Sequence, residues 1–291
     1  ITLKDFQYAA PTTIQDATSL LTEHGSGARI LAGGTDIIVQ LREGLREADI
    51  VVDIKKIPEL SDCQYSDVSG LYLGAAVACC DIYENADLAG RYGALADSTH
   101  IIGGWQIQSR ASVGGNLCNA SPAADTIPAL IALNAEAQVT GPAGQRTIAV
   151  AAFCKGPGKN ALVDGEFVVA IKIPPQSANM GSAYQRFIPR NEMDIAVVGV
   201  GSWIELDTVG NIANARLSLG AVAATPLFAE EASQFLVGKE PNDDNFALAA
   251  ELAKQIVTPI TDMRGTAQYR THLVGVLVKR TLTTALARAQ A

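Results

Sequence analysis

The segment Leu31-Ala32-Gly33-Gly34-Thr35-Asp36 ends an apolar run with two glycines, a hydroxyl and a carboxylate. A second segment of this kind, Ser112-Val113-Gly114-Gly115-Asn116, follows later in the chain. Because glycine lacks Cβ, its backbone N–H can approach phosphate oxygens closely, and nearby Ser, Thr or Asn side chains add donors. We therefore expect the two segments to hold the halves of one pyrophosphate, and a bulky residue at Gly114 to enter that space. Each Gly-Gly pair alone is also typical of an ordinary tight turn.

The common nucleotide-binding and hydrolase fingerprints are absent from the sequence. Gly25 and Gly199 each begin a Gly-x-Gly pattern that lacks the third glycine of a Rossmann turn, and Gly158-Lys159 lacks the flanking residues of a P-loop. Neither a Gly-x-Ser-x-Gly elbow nor a His-Glu-x-x-His helix occurs. The sequence therefore argues against Rossmann, P-loop and common hydrolase folds.

Composition limits the class of protein further. The 291 residues are 48% hydrophobic and 18% charged, which favours two or three packed units over a disordered chain. A formal net charge of −8 argues against nucleic-acid binding, so any anionic ligand must be held by local donors. No apolar run is long enough to span a membrane, and we expect a cytoplasmic protein. The five cysteines show no Cys-x-x-Cys spacing, and no metal site is predicted.

The order of the predicted elements indicates an α+β fold in three units. Residues 1–57 alternate helices and β-branched strands and end at Ile57-Pro58. Residues 58–177 contain short strands, interposed helices and Gly/Pro turns, up to the break at Pro174-Pro175. Residues 178–291 contain longer strands followed by a helical C-terminal part.

Individual elements are predicted from apolar spacing and capping residues. A helix after Pro11 has Thr12 or Thr13 as its N-cap. Further helices are predicted near residues 81–96 and 125–133, and helical spacing continues from 245 to 289.

Several segments, taken together and in this order, resemble the FAD-binding medium subunit of the molybdenum hydroxylases. That family includes carbon monoxide dehydrogenase, xanthine dehydrogenase and dehydrogenases of N-heterocycles. The resemblance extends along essentially the whole chain. It implies a two-part FAD-binding domain of the PCMH (vanillyl-alcohol oxidase-like) type, followed by an α+β C-terminal domain. Besides the two glycine segments, it is carried by Ser121-Pro122-Ala123-Ala124-Asp125, Ala183-Tyr184-Gln185-Arg186-Phe187, Asp194-Ile195-Ala196, Tyr269-Arg270-x-x-Leu273 and Val276-Leu277-Val278-Lys279-Arg280.

The resemblance also implies which residues bind FAD. They are Leu31, Ala32, Gly33, Gly34, Thr35, Asp36, Ile102, Ser112, Val113, Gly114, Gly115, Asn116, Asp125, Val168 and Arg186.

Four of these positions have particular expected roles. Asp125 matches a carboxylate that helps to fix the cofactor, although a helix N-cap is an equal alternative. Val168, or its neighbour Val169, matches a position whose backbone touches the cofactor. Ile102 stands where some relatives stack an aromatic ring on the flavin. Arg186 stands where relatives often have lysine near the flavin, so the charge is kept while the geometry changes.

The implied function is electron transfer within a multisubunit oxidoreductase. A large subunit with molybdenum–pterin oxidises the substrate, a small subunit carries two [2Fe–2S] clusters, and FAD in this chain passes electrons to an external acceptor. A dimer of heterotrimers is expected, and this chain needs no catalytic acid, base or nucleophile of its own. Two alternatives remain open, a self-contained flavin oxidase or reductase with the same type of FAD domain, and a scaffold that has lost FAD.

Overall fold

The first sheet of the protein is parallel and has three strands. In the computed structural model, which describes residues 4–291, its strands lie in the order β1-β3-β2. Thr13 caps the helix between the first two strands, because its hydroxyl accepts a hydrogen bond from the Asp16 N–H at 3.1 Å. The elements are β1 (Gln7–Ala9), α1 (Ile14–His24), β2 (Ala28–Leu31), α2 (Ile37–Arg42) and β3 (Ile50–Asp53).

The second sheet is antiparallel, with five strands in the order β4-β5-β10-β6-β7. Its strands are β4 (Cys63–Ser66), β5 (Gly70–Gly74), β6 (Glu136–Gly141), β7 (Gly144–Ala149) and β10 (Phe167–Ile173), and a separate hairpin is formed by β8 (Cys154–Gly156) and β9 (Lys159–Asn160). The short helix α3 (Pro58–Ser61) precedes this sheet. Six further helices lie between β5 and β6: α4 (Cys79–Tyr83), α5 (Ala86–Arg91), α6 (Gly93–Thr99), α7 (Trp105–Gln108), α8 (Val113–Asn119) and α9 (Thr126–Ala132).

The third sheet is an antiparallel meander packed between helices. Its strands follow the chain order, β11 (Met180–Phe187), β12 (Val198–Leu206), β13 (Ile212–Gly220) and β14 (Leu227–Phe228), and are followed by α10 (Glu230–Leu236), α11 (Asp243–Ala253) and α12 (Ala267–Ala289). A Cβ on Gly181 would lie 2.0 Å from the Ala285 carbonyl oxygen of α12, and one on Gly201 would lie 2.6 Å from that of Pro128 in α9. Glycine therefore allows helices to approach both faces of the sheet closely.

The α+β prediction is confirmed, and two predicted helices differ in length. The stretch 81–96 contains parts of three short helices, because Asn85 caps a new helix by accepting hydrogen bonds from the N–H groups of Asp87 and Leu88. The stretch 245–289 is also divided, since α12 begins anew after its own N-cap, Thr266. Among the described residues, no helix is both long and apolar enough to cross a membrane.

Candidate functional site

A deep cleft separates the first sheet and α2 from the N-terminal part of α8. The cavity between its walls has a volume of about 220 Å³ and opens to solvent. The lining residues are Arg29, Ile30, Ala32, Gly33, Gly34, Thr35, Asp36, Ile37, Gln40, Arg46, Ile54, Ala75, Ile102, Ala111, Ser112, Gly114, Gly115, Asn116, Cys118, Asn119, Leu162, Phe167 and Val168. The two glycine segments therefore share one cleft.

Gly33 brings the two walls of the cleft into direct contact. A Cβ at this position would lie 1.9 Å from the carbonyl oxygen of Arg110, two residues before the second glycine segment. No other residue type fits without moving the backbone. Its neighbour Gly34 has φ +81°, a left-handed conformation that disfavours side chains. The first glycine pair is thus required by the geometry of the chain itself.

The turn between β2 and α2 presents a row of backbone donors. Within the described part of the chain, none of the N–H groups from Gly33 to Ile37 donates a hydrogen bond to another protein group. Four of these five residues were predicted to bind the cofactor, and all five line the cleft. Consecutive free N–H groups form an anion-binding concavity that suits a diphosphate. The residues therefore fit the pyrophosphate of FAD.

The second glycine segment is the first turn of α8. Ser112 is its N-cap, and the Ser112 hydroxyl accepts a hydrogen bond from the Gly115 N–H at 3.1 Å. A Cβ on Gly114 would lie 2.5 Å from the Ala75 carbonyl oxygen, whereas one on Gly115 would meet only the Ser112 hydroxyl, at 3.1 Å. We expected a side chain at Gly114 to enter the space of the phosphate. That expectation is wrong, because the side chain would first collide with the backbone that follows β5.

Two asparagines of α8 connect the cleft to neighbouring helices. The Asn116 side-chain oxygen accepts hydrogen bonds from the hydroxyl and N–H of Thr126, at 2.6 and 3.3 Å, and so fixes the start of α9. Gln40 of α2 donates to the Asn119 side-chain oxygen at 3.1 Å across the cleft. Asn116 thus lines the cleft, while its side-chain oxygen accepts hydrogen bonds that stabilise the start of α9.

The remaining predicted residues divide into two groups. Ile102 and Val168 line the cleft beside the glycine segments, whereas Leu31, Val113, Asp125 and Arg186 are not among its lining residues. Val113 is buried in the core beneath α8.

Asp125 and Arg186 form a buried ion pair behind the cleft. Their oxygen and nitrogen lie 2.6 Å apart, with 9% and 6% of the side chains exposed. The Tyr184 hydroxyl donates to the other Asp125 oxygen at 2.9 Å, and the second terminal nitrogen of Arg186 donates to the Ile101 carbonyl at 2.7 Å. Ile101 precedes the cleft residue Ile102, so this pair supports the cleft wall from behind. Asp125 precedes α9, yet its side chain makes no capping hydrogen bond.

Burial dominates the electrostatics of this pair. Loss of solvent raises the pKa of Asp125 to about 6, although the Arg186 charge and the hydrogen bonds from Tyr184 and Arg186 oppose the rise. The same burial raises the pKa of Tyr184, which stays a neutral donor. Asp125 is therefore ionised and paired at neutral pH and becomes protonated in mild acid.

Several residues that line the cleft were not predicted from the sequence. Gln40 and Arg46 lie on α2 and the segment after it, and Leu162 and Phe167 come from distant parts of the chain. A predicted helix directly after the Gly-Gly turn could have pointed to Gln40. The described residues contain no group of three or more His, Cys, Asp or Glu suited to hold a metal ion.

Comparison with protein families matches nearly the whole chain in two parts. Residues 4–176 match the family model of the FAD-binding domain in molybdopterin dehydrogenase. Residues 182–285 match the CO dehydrogenase flavoprotein C-terminal domain.

Individual relatives are similar over their full length. The chain is 31% identical to the xanthine dehydrogenase FAD-binding subunit of Escherichia coli O157:H7, over 97% of this chain and 96% of the relative. It is 33% identical to the carbon monoxide dehydrogenase medium chain of Afipia carboxidovorans, over 98% of both. A crystal structure of the Cu,Mo-CO dehydrogenase in its cyanide-inactivated form matches with a TM-score of 0.94 and 31% identity, over 99% of this chain and 100% of that one. The chain thus belongs to the FAD-binding subunits of the molybdenum hydroxylase family, and is an oxidoreductase subunit.

Proposed function

We propose that this chain holds FAD in the cleft and passes electrons from [2Fe–2S] clusters of a small partner subunit to an external acceptor. The organic substrate is oxidised at molybdenum–pterin in a large partner subunit. The observation that carries the proposal is the meeting of both glycine segments in one cleft, beside the free N–H groups of residues 33–37. The relatives named FAD-binding subunit and medium chain support it.

The cleft residues bind and orient the cofactor in this proposal. The N–H groups of Gly33 to Ile37 donate to the diphosphate, and Ser112 keeps the first turn of α8 in place through its cap. Asp125 and Arg186 keep the turn at Ile102 in position from behind. Bound flavin accepts electrons singly or in pairs, which suits it to connect one-electron clusters with a two-electron acceptor.

The partners are proposed from the names of the relatives and from the surface. The words subunit and medium chain in the names of the relatives describe parts of larger assemblies. For this chain we propose a cytoplasmic dimer of heterotrimers. Trp105 follows the turn that carries Ile102 and is 79% exposed. A large exposed aromatic side chain is typical of protein interfaces, so this side of the cleft is suited to a partner that delivers electrons. Trp203, in contrast, is buried and donates to the Gln176 side chain at 2.6 Å.

The test is the cofactor content of the complex isolated through a tag on this chain. We expect co-purification of two further chains, one flavin per copy of this chain, and about four iron atoms per flavin, since two [2Fe–2S] clusters contain four. Reduction by substrate should bleach the flavin absorbance. A chain that purifies alone and catalyses a full turnover would favour the self-contained oxidase or reductase. A colourless complex that cannot be reconstituted with FAD would contradict the proposal.

A further inference from the structure

Two arginine side chains also line the cleft. Arg29 lies on β2, and Arg46 follows α2 on the segment that leads to β3. Both line the same cleft as the glycine segments. Neither residue was predicted as part of the site, and neither belongs to the glycine motifs. The cleft therefore contains two positive charges in addition to its N–H groups.

Asp49 acts on the charge of Arg29, but neither cleft arginine is in direct contact with a carboxylate of the described residues. Among the described residues, neither Arg29 nor Arg46 forms an ion pair, while Arg42, at the end of α2, pairs with Glu43. Glu47, the sequence neighbour of Arg46, pairs instead with Lys4. The two cleft arginines thus keep their charge available to a ligand.

Arg29 also has an unused donor. Its first terminal nitrogen donates to the carbonyls of Ser26 and Ala28, at 2.7 and 2.8 Å. Its Nε is buried and has no hydrogen-bond partner within the described chain. A buried donor without a partner destabilises the folded protein, and a ligand that contributes an acceptor removes this cost.

The two charges also act on each other. Burial lowers the pKa of Arg29, the charge of Arg46 lowers it further, and Asp49 opposes these effects. Asp36 is the acidic side chain of the cleft lining, and burial raises its pKa. The charged side chains that line the cleft are therefore one carboxylate and two guanidinium groups, whereas the whole chain has a net charge of −8.

We propose that Arg29 and Arg46 form an anion subsite that supplies the countercharge for the diphosphate of FAD. This inference rests on the proposed function, because it assigns a further role within the same cleft. The N–H groups of residues 33–37 fix the position of the diphosphate, and the arginines supply the net positive charge that neutral N–H groups lack. Arg46 is exposed on the surface segment, so it contributes mainly through long-range attraction that salt weakens.

The experiment measures FAD affinity in the complex after removal of bound FAD, at roughly 50 to 400 mM salt. We expect Arg46→Gln to weaken FAD binding about tenfold at low salt, a loss of about 1.4 kcal/mol, and to reduce the salt dependence. Arg46→Lys should keep most of the affinity and the salt dependence, because the charge remains. Arg42→Gln is the matched control and should change neither.

The outcomes separate this inference from the proposed function. A wild-type complex that fails to bind FAD contradicts the proposed function itself. Wild-type binding with an unchanged affinity and salt dependence in Arg46→Gln overturns the subsite. An equal loss in Arg46→Lys and Arg46→Gln also overturns it, because shape rather than charge would then be responsible. Arg29→Lys, which keeps the charge at this half-buried position, should retain the salt dependence, and loss of that dependence would also count against the subsite.

Discussion

At the scale of single residues, the two glycine pairs serve the contact between chain segments as much as the ligand. Gly33 packs on the carbonyl of Arg110 and Gly114 on that of Ala75. Sequence reasoning found these glycines because tandem glycines beside Ser, Thr and Asn are unusual. It could not supply the reason, because Arg110 and Ala75 are far away in the chain and no local pattern marks them.

Gly33→Ala should destabilise the protein more than Gly115→Ala. The first Cβ would lie 1.9 Å from a backbone oxygen, and overpacking of this kind costs about 1–3 kcal/mol. The second would meet only a hydroxyl at 3.1 Å, and alanine in a helix is favoured over glycine by about 1 kcal/mol. Thermal unfolding of both variants measures this difference. Equal melting temperatures would show that the walls do not touch at Gly33.

Breaking the buried ion pair should be costly. Arg186→Ala leaves the Asp125 carboxylate buried without its charged partner, which destabilises a protein by about 3–5 kcal/mol. Denaturant unfolding measures the loss, and the flavin spectrum should also shift because the turn at Ile102 loses its support.

A double variant provides the control for that prediction. Arg186→Ala combined with Asp125→Asn should cost less than the sum of the single changes, because the two side chains interact directly. Strict additivity would indicate that the pair does not exist in solution.

The pair should also make stability depend on pH. The pKa of Asp125 in the folded protein, about 6, is raised above its ordinary value of 3.8. A raised carboxyl pKa means that the folded state binds the proton more tightly, so this group favours folding in acid and loses that contribution as the pH rises from about 4 to 6. Wild type minus Asp125→Asn should therefore show a stability difference that falls over this range and stays constant above it. A flat difference would contradict the shift.

At the scale of elements, sequence periodicity predicted the main strands and α1 with its cap correctly. The continuous apolar run Phe167–Ile173, which ends at a proline pair, predicts a strand, and β10 has the same bounds. The resemblance implies a cofactor-binding loop at the second glycine segment, but this segment begins α8. Ser112 caps the helix there, although Gly115 stands where a capping box has its acidic residue. The sequence could not predict the ion pair of Asp125 and Arg186, because this pair joins the start of α9 to β11 across 61 residues.

Loss of the α8 cap should affect both stability and FAD retention. Ser112→Ala removes the acceptor for the Gly115 N–H and should cost about 1 kcal/mol, while Ser112→Thr should preserve the cap. Thr13→Ala removes the corresponding cap of α1, outside the cleft, and should cost similar stability without FAD loss. Unfolding curves and flavin content after gel filtration measure the two effects. Equal flavin loss in both variants would assign the effect to general destabilisation.

At the scale of the whole molecule, the predicted units 1–57, 58–177 and 178–291 remain our proposal for the domain limits. The first unit shares its core with the second, because Phe167 and Val169 of β10 pack against side chains around the first sheet. The described part of the first unit starts at residue 4. A core shared in this way fixes the two walls of the cleft relative to each other, which a cofactor that bridges both walls requires.

The central claim is that both glycine segments bind the same diphosphate. An experimental density map of the FAD-loaded complex tests it most directly. We expect the diphosphate oxygens to lie about 2.7–3.2 Å from N–H groups of residues 33–37, with the first turn of α8 on the opposite side. A flavin nucleotide bound elsewhere, or a diphosphate that touches neither segment, would contradict the account.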